Sequence, residues 1–130
     1  MKINPILFLH LTMAFAFAAV AADAPAVKRV DVAEFDKLRQ AKTNVILDVR
    51  SEREFKAGHL PGAINIDVNS SDFAKKVAEL DKSKTYLVHC QSGRRSANAC
   101  EKLGKAGFTS LFDLAPGFKG WTNAAKPFEK

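Results

Sequence analysis

A chain of 130 residues, 47% apolar and 26% charged, has enough material for one modest hydrophobic core and excludes a second domain. Its net charge of +6 is spread thinly, with nothing longer than pairs such as Lys75-Lys76 and Arg94-Arg95. Nucleic-acid binding needs a concentrated basic stripe with stacking aromatics, so this charge reads as a solvated, mixed surface.

The N-terminus opens with Met1-Lys2, followed by an uncharged run from Ile6 to Val20, broken by His10 and Thr12 and closed by small residues through Ala22. A basic start, a short apolar stretch and small residues at its end describe a secretory signal peptide over residues 1–22. Cleavage after Ala21, Ala22 or Ala24 meets the small-residue rule, with Ala22 favoured. The stretch is shorter than the roughly 20 residues that cross a bilayer comfortably. The expectation is therefore an exported, periplasmic protein that is free of the membrane once the signal is removed, and a monomer. Removal takes away Lys2, the segment's single charged residue, and lowers the net charge by one.

Residues 23–29 read as a flexible leader, and the domain itself is expected over 30–128. Asp31 with Glu34 predicts a capped helix start whose apolar face carries Val32, Phe35 and Leu38. Asn44 to Asp48 is a continuous apolar run, as in a strand buried on both faces. Ser51 with Glu54 predicts a second capping box on a short helix ending near Gly58. A strand over 62–66 follows, then a helix with Phe73, Val77 and Leu80 on one face. Thr85 to His89 is the next buried strand. The helix after it, from about Ser96 to Ala106, buries Ala99, Cys100, Leu103 and Ala106 and is stopped by Gly107. A last strand over 110–114 leads through a Pro-Gly turn to a short helix around Trp121. Strands alternating with helices make an α/β domain, a parallel sheet with helices on both faces. Ligands bind such sheets beyond the carboxyl ends of the strands, where Asp48 and Cys90 fall.

The segment His89-Cys90-Gln91-Ser92-Gly93-Arg94-Arg95-Ser96 carries the chemistry. A cysteine at a strand end opens a short loop holding a glycine and two arginines, and a helix starts at once. Converging backbone N–H groups form an anion-binding nest, and the helix N-terminus adds partial positive charge. With Arg94 and Arg95 these effects favour the Cys90 thiolate over the thiol and would hold an anionic substrate beside it. The second cysteine, Cys100, lies ten residues on and inside the helix. A bridge needs Cα atoms within about 7 Å, so one reactive and one buried thiol are expected.

The loop Cys-x-x-Gly-x-Arg-Ser at 90–96 resembles the active-site loop of the rhodanese family. So do Leu47-Asp48-Val49-Arg50, the run from Glu54-Phe55 to Gly58-His59-Leu60-Pro61-Gly62-Ala63-Ile64-Asn65-Ile66, and the ending at Leu114 to Trp121, where Pro116 replaces the family's first glycine. The four segments stand in the family's order from about Val30 to Trp121. The resemblance implies a sulfurtransferase that moves a sulfane sulfur from thiosulfate or a similar donor to cyanide, a thiol or a protein cysteine. Cys90 would be the nucleophile and carry a persulfide, Gln91, Ser92, Gly93, Arg94 and Arg95 would bind the substrate, and Asp48 and Ser96 would support the loop. It implies no metal and no organic cofactor.

Neighbouring residues have plainer readings. Asp48 is expected to orient the loop by hydrogen bonds to its backbone, and Arg50 to pair with Glu54. His59 reads as a turn residue bonded to backbone, and Trp121 as a core or pocket-wall residue. His89 should point away from Cys90, because strand neighbours face opposite sides, which leaves the thiolate dependent on loop electrostatics. Two other functions share these features: a cysteine phosphatase or arsenate reductase, and a non-catalytic module of the same fold. The former resemble a longer loop, His-Cys-x-x-Gly-x-x-Arg-Ser, whereas four residues separate Cys90 from Arg95 here. A thiol–disulfide redox protein would show Cys-x-x-Cys, which this chain lacks.

Overall fold

The computed structural model describes residues 27–130. The expected signal peptide and residues 23–26 of the leader lie outside this range. In chain order the elements are β1 (Lys28–Val30), α1 (Val32–Arg39), β2 (Val45–Asp48), α2 (Glu52–Ala57), β3 (Ile64–Asn65), α3 (Phe73–Val77), β4 (Tyr86–His89), α4 (Arg94–Lys105), β5 (Leu111–Leu114) and α5 (Gly117–Asn123). The strands form a single parallel sheet in the order β1-β5-β4-β2-β3.

Strand alternation divides the sheet's side chains between two cores. Leu47, Tyr86, Val88, Cys90 and Leu111 face Phe73 and Val77 of α3 and Ala99, Cys100 and Leu103 of α4. Ile46, Leu87 and Leu114 face Phe35 of α1 and Trp121 of α5. All four residues of the central strand β4 are buried, which explains its unbroken apolar pattern and puts its carboxyl end, with Cys90, in the middle of the sheet.

Both predicted helix starts form. Asp31 accepts the Glu34 N–H at 2.9 Å, and Ser51 and Glu54 close a reciprocal capping box. Three elements differ from expectation. Lys28 and Arg29, read as leader, join Val30 in an edge strand that pairs with Phe112–Leu114. Helix α3 stops at Val77, and Leu80 packs on the core from the turn beyond it. Helix α4 starts at Arg94, two residues early, because Gly93 takes the left-handed conformation at its cap. At the other end of α4 Gly107, at φ +99°, stops the helix as expected. The last residues fold back onto the domain. Trp121 donates its Nε1–H to the Pro127 carbonyl at 2.7 Å, and Glu129 and His59 exchange backbone hydrogen bonds at 2.8 Å.

Helix α5 sits against the loop after β4. Its Phe118 N–H donates to the Cys90 carbonyl at 2.8 Å, and its Lys119 N–H to the Gln91 carbonyl at 3.0 Å. Pro116 fits the residue before the helix at φ −83°, so the departure from the family's glycine is absorbed without strain. The left-handed position falls on Gly117, at φ +62°, where a Cβ would stand 2.5 Å from the Gln91 carbonyl carbon and oxygen and 2.7 Å from the Ser92 nitrogen. Gly117→Ala is thus expected to cost more than about 1 kcal/mol of stability and to push the loop away from Cys90. Urea denaturation and the alkylation rate of Cys90 measure the two effects; a variant with wild-type values for both would contradict this packing.

Candidate active site

Cys90 follows the last residue of β4 and is 1% exposed. Burial alone pushes a thiol's pKa up, because it penalises the charged form. Here the Ser96 hydroxyl and the backbone N–H groups of Ser96, Ser92 and Gly93 outweigh that burial and leave the Cys90 thiol below its ordinary value. The Gly93 N–H donates to the sulfur at 3.1 Å, and the Ser96 hydroxyl lies 3.5 Å from it. The sulfur thus sits in the nest expected from the sequence, with Ser96 added to its wall.

The nest depends on glycine geometry. Gly93 has φ +96°, and a Cβ there would stand 2.1 Å from the Ala115 carbonyl oxygen. The conformation aims the Gly93 N–H at the sulfur, and the absent side chain lets the strand-to-α5 connection pass close behind. A residue with a side chain would have to displace one or the other.

The charged residues around the loop pair differently from the sequence expectation. Arg50 does not meet Glu54. Its guanidinium is buried on the Asp48 carboxylate, at 2.7 Å from Nη2 to Oδ2, and donates to the Gly58 carbonyl at 2.7 Å. It lies over the Phe118 ring, 4.2 Å from the centroid, and its Nη1 reaches Gln91 Oε1 at 3.3 Å. The Asp48 carboxylate accepts the Arg50 backbone N–H at 3.0 Å and does not bond the loop backbone. Asp48 therefore supports the loop through Arg50, since a carboxylate buried beside an arginine is satisfied by that arginine first. This reach of Arg50 to Gln91 was missed from sequence, although Asp48 and Arg50 stand two residues apart and so share a side of the extended chain.

Glu54 instead holds Arg95, with two N–H···O bonds of 2.7 and 2.9 Å. Those bonds, aided by Ser51, overcome partial burial and push the Glu54 carboxyl down to about 2. Arg95 is thus committed to α2, and Arg94, expected beside it as a second substrate cation, is exposed at the first position of α4. Gln91 is half-buried and Ser92 exposed.

His89 is fully buried on the opposite face of the sheet, edge-on to Phe35 and stacked near Phe118. Burial pushes its pKa down, against the Asp48 carboxylate 3.6 Å from Nε2, and its position on the far face leaves it unplaced to take the Cys90 proton. His59 bonds the Phe55 carbonyl through Nδ1 at 2.8 Å and stacks on the Phe55 ring, as a turn residue should. Cys90 and Cys100 are both free thiols. Burial pushes the Cys100 thiol up to about 12. Asp113, a lone acid inside the apolar strand β5, is buried without a hydrogen bond to either carboxyl oxygen among the described residues. Among those residues no three His, Cys, Asp or Glu side chains converge to hold a metal ion, and no helix is long and apolar enough to cross a membrane.

With this geometry in hand, comparison with known proteins is specific. A family model described as a rhodanese-like domain matches residues 31–124. The thiosulfate sulfurtransferase GlpE of Shewanella oneidensis is 31% identical over 97 residues, covering 75% of this chain and 94% of that protein. The tRNA uridine(34) hydroxylase of Cytophaga hutchinsonii is 36% identical over 93 residues, covering 69% of this chain but 30% of that protein. The crystal structure of a rhodanese-related protein from Thermoplasma volcanium superposes with a TM-score of 0.68 at 30% identity, over 78% of this chain and 97% of that one.

The two thiols should separate cleanly in reactivity. At neutral pH iodoacetamide is expected to alkylate Cys90 and to leave Cys100 unmodified in the folded protein, because only the thiolate reacts. Peptide mass mapping reads both sites, and equal labelling of the two would contradict the site geometry.

Proposed function

Because the chain belongs to the rhodanese-like sulfurtransferase family, we propose that it moves a sulfane sulfur from thiosulfate or a similar anionic donor to a thiophilic acceptor through a persulfide on Cys90. The observation that carries this reading is the Cys90 sulfur held by the Gly93 N–H at 3.1 Å and facing the Ser96 hydroxyl at the start of α4. A nucleophile so placed has its charge stabilised without a neighbouring base.

In the first step the Cys90 thiolate attacks the outer sulfur of thiosulfate. A new sulfur–sulfur bond forms, the donor's own sulfur–sulfur bond breaks, and sulfite leaves with the electron pair. The terminal sulfur of the persulfide then occupies the space in front of the nest. In the second step cyanide, a thiol or a protein cysteine attacks that terminal sulfur, and the Cys90 thiolate returns. The N–H groups of Ser92, Gly93 and Ser96 serve in both halves, because the cysteine sulfur is the attacking atom in one and the leaving atom in the other. Arg50 holds Gln91 in place and Arg94 attracts the anionic donor at the mouth. We further propose that the protein works in the periplasm after export through its N-terminal segment.

Incubation with thiosulfate is expected to add about 32 Da, one sulfur atom, to the intact mass. Cyanide should remove the addition, and Cys90→Ala should never acquire it. Absence of an adduct with both thiosulfate and polysulfide would reject the reading. Arg94→Ala is expected to raise the thiosulfate KM several-fold with kcat nearly unchanged, the mark of lost uniform binding. Steady-state kinetics at two ionic strengths checks this, and an unaltered KM would remove Arg94 from the donor site.

A further inference from the structure

The start of a helix favours acids, because the macrodipole puts partial positive charge there. The two helices that begin against the Cys90 loop reverse this. Helix α4 opens on Arg94 and Arg95, α5 carries Lys119 in its first turn, and neither has an acid in that turn. Helix α2 does start with acids, but both are engaged: Glu52 with Lys56 at 2.9 Å and Glu54 with Arg95 at 2.7 Å. Arg53, between them, is exposed. Like Arg94 and Lys119, it enters no ion pair among the described residues.

Topology gathers these three cations around the mouth of the nest. Helices α2, α4 and α5 follow β2, β4 and β5, which are neighbours in the sheet with β4 in the middle. Helices α4 and α5 cover opposite faces, and the Lys119 N–H donates to the Gln91 carbonyl at 3.0 Å. Glu54 ties α2 to α4 through Arg95. Two strand spacings alone separate the outer helix starts by about 10 Å, more than one thiosulfate ion can bridge. The nearby acid Asp67 is bonded to the Asn69 N–H at 2.8 Å, and Asp31 and Glu34 follow β1, which β5 separates from β4.

We propose that this face receives the sulfur acceptor, and that the acceptor is a protein whose reactive cysteine stands in an acidic, protruding segment. The protrusion follows from burial. Cys90 is 1% exposed, and a persulfide carries the terminal sulfur only about 2 Å beyond it. A cysteine on a loop tip or chain end reaches that atom, whereas one on a flat surface is held off. The acidity follows from charge: unpaired cations around a small opening concentrate an acidic segment there. They also favour the acceptor's thiolate, which its own acidic neighbours disfavour. That thiolate attacks the terminal sulfur, the sulfur–sulfur bond to Cys90 breaks, and Cys90 leaves as the thiolate while the acceptor keeps the persulfide.

The inference rests on the persulfide reading, and its test separates the two. The full protein is loaded with thiosulfate or polysulfide, and the added sulfur is verified by intact mass and by discharge with cyanide. Two synthetic peptides of equal length then serve as acceptors, each with one cysteine, flanked by aspartates in one and by lysines in the other. Discharge rates are divided by the thiolate concentration of each peptide. At low salt the acidic peptide is expected to react at least about tenfold faster, and the advantage should shrink towards unity at high salt. Arg53→Glu and Lys119→Glu should each lower the ratio of the two rates about threefold, and the double variant further. Because the ratio is taken within one variant, any general damage to the loop divides out. A protein that takes up no sulfur overturns both readings. One that takes up sulfur and yields it equally to both peptides overturns this one alone. So does a ratio that ignores salt, or one that stays at the wild-type value in both variants while thiosulfate loading slows, which would leave the cations to the donor.

Discussion

A cysteine that is 1% exposed and whose thiol nevertheless lies below its ordinary pKa depends on hydrogen bonds supplied by fixed groups, because burial by itself works against the charge. The architecture around the loop follows from that constraint. Backbone N–H groups converge on one atom only if the chain reverses sharply, and the reversal uses the left-handed Gly93. The reversal brings the loop against Ala115 and Gly117, so the second glycine is needed for clearance. Helix α5 then holds the loop from behind through the N–H groups of Phe118 and Lys119. The carboxyl end of the central strand, the start of α4 and the start of α5 thus act as one unit around a single sulfur.

Charge is distributed to serve the same unit. Two acids near the site are satisfied by two arginines, Asp48 by Arg50 and Glu54 by Arg95. The first pair is almost wholly buried, and its benefit is specific placement rather than net stability, since desolvation offsets much of the attraction. Arg50 illustrates this: one planar group bonds Asp48, Gly58 and Gln91 and lies on Phe118. The second pair ties α2 to α4 across the loop while Glu54 also closes the cap of its own helix. Of the two cations that look available for substrate in the sequence, Arg95 is engaged by Glu54 and Arg94 is exposed at the start of α4.

Local signals read truly and non-local ones did not. The cap at Asp31 and the capping box at Ser51–Glu54 are interactions within one turn, so their residues are close in sequence as well as in space. The unbroken apolar runs of β2 and β4 mark burial on both faces, which only an interior strand of a parallel sheet requires. Strand β1 escaped notice because Lys28 and Arg29 are exposed on an edge with one neighbour, and an edge imposes no alternation. Glu54 was assigned to Arg50, four positions before it, whereas its real partner is 41 positions away. Proximity of that kind is set by how α2 packs beside α4.

The amino-acid sequence determined the α/β alternation, the capped helix starts, the unbridged cysteines and the placement of Cys90 at a strand end before a helix. Each rests on spacing within a few residues, where backbone geometry leaves little choice. The tertiary structure decided which arginine meets which acid, that Asp48 acts through Arg50, that α5 supports the loop, and that Ser96 stands beside the sulfur. Those relations join residues brought together by the strand order β1-β5-β4-β2-β3. Strand order depends on how two cores fill on opposite faces of the sheet, and no short stretch of sequence records it.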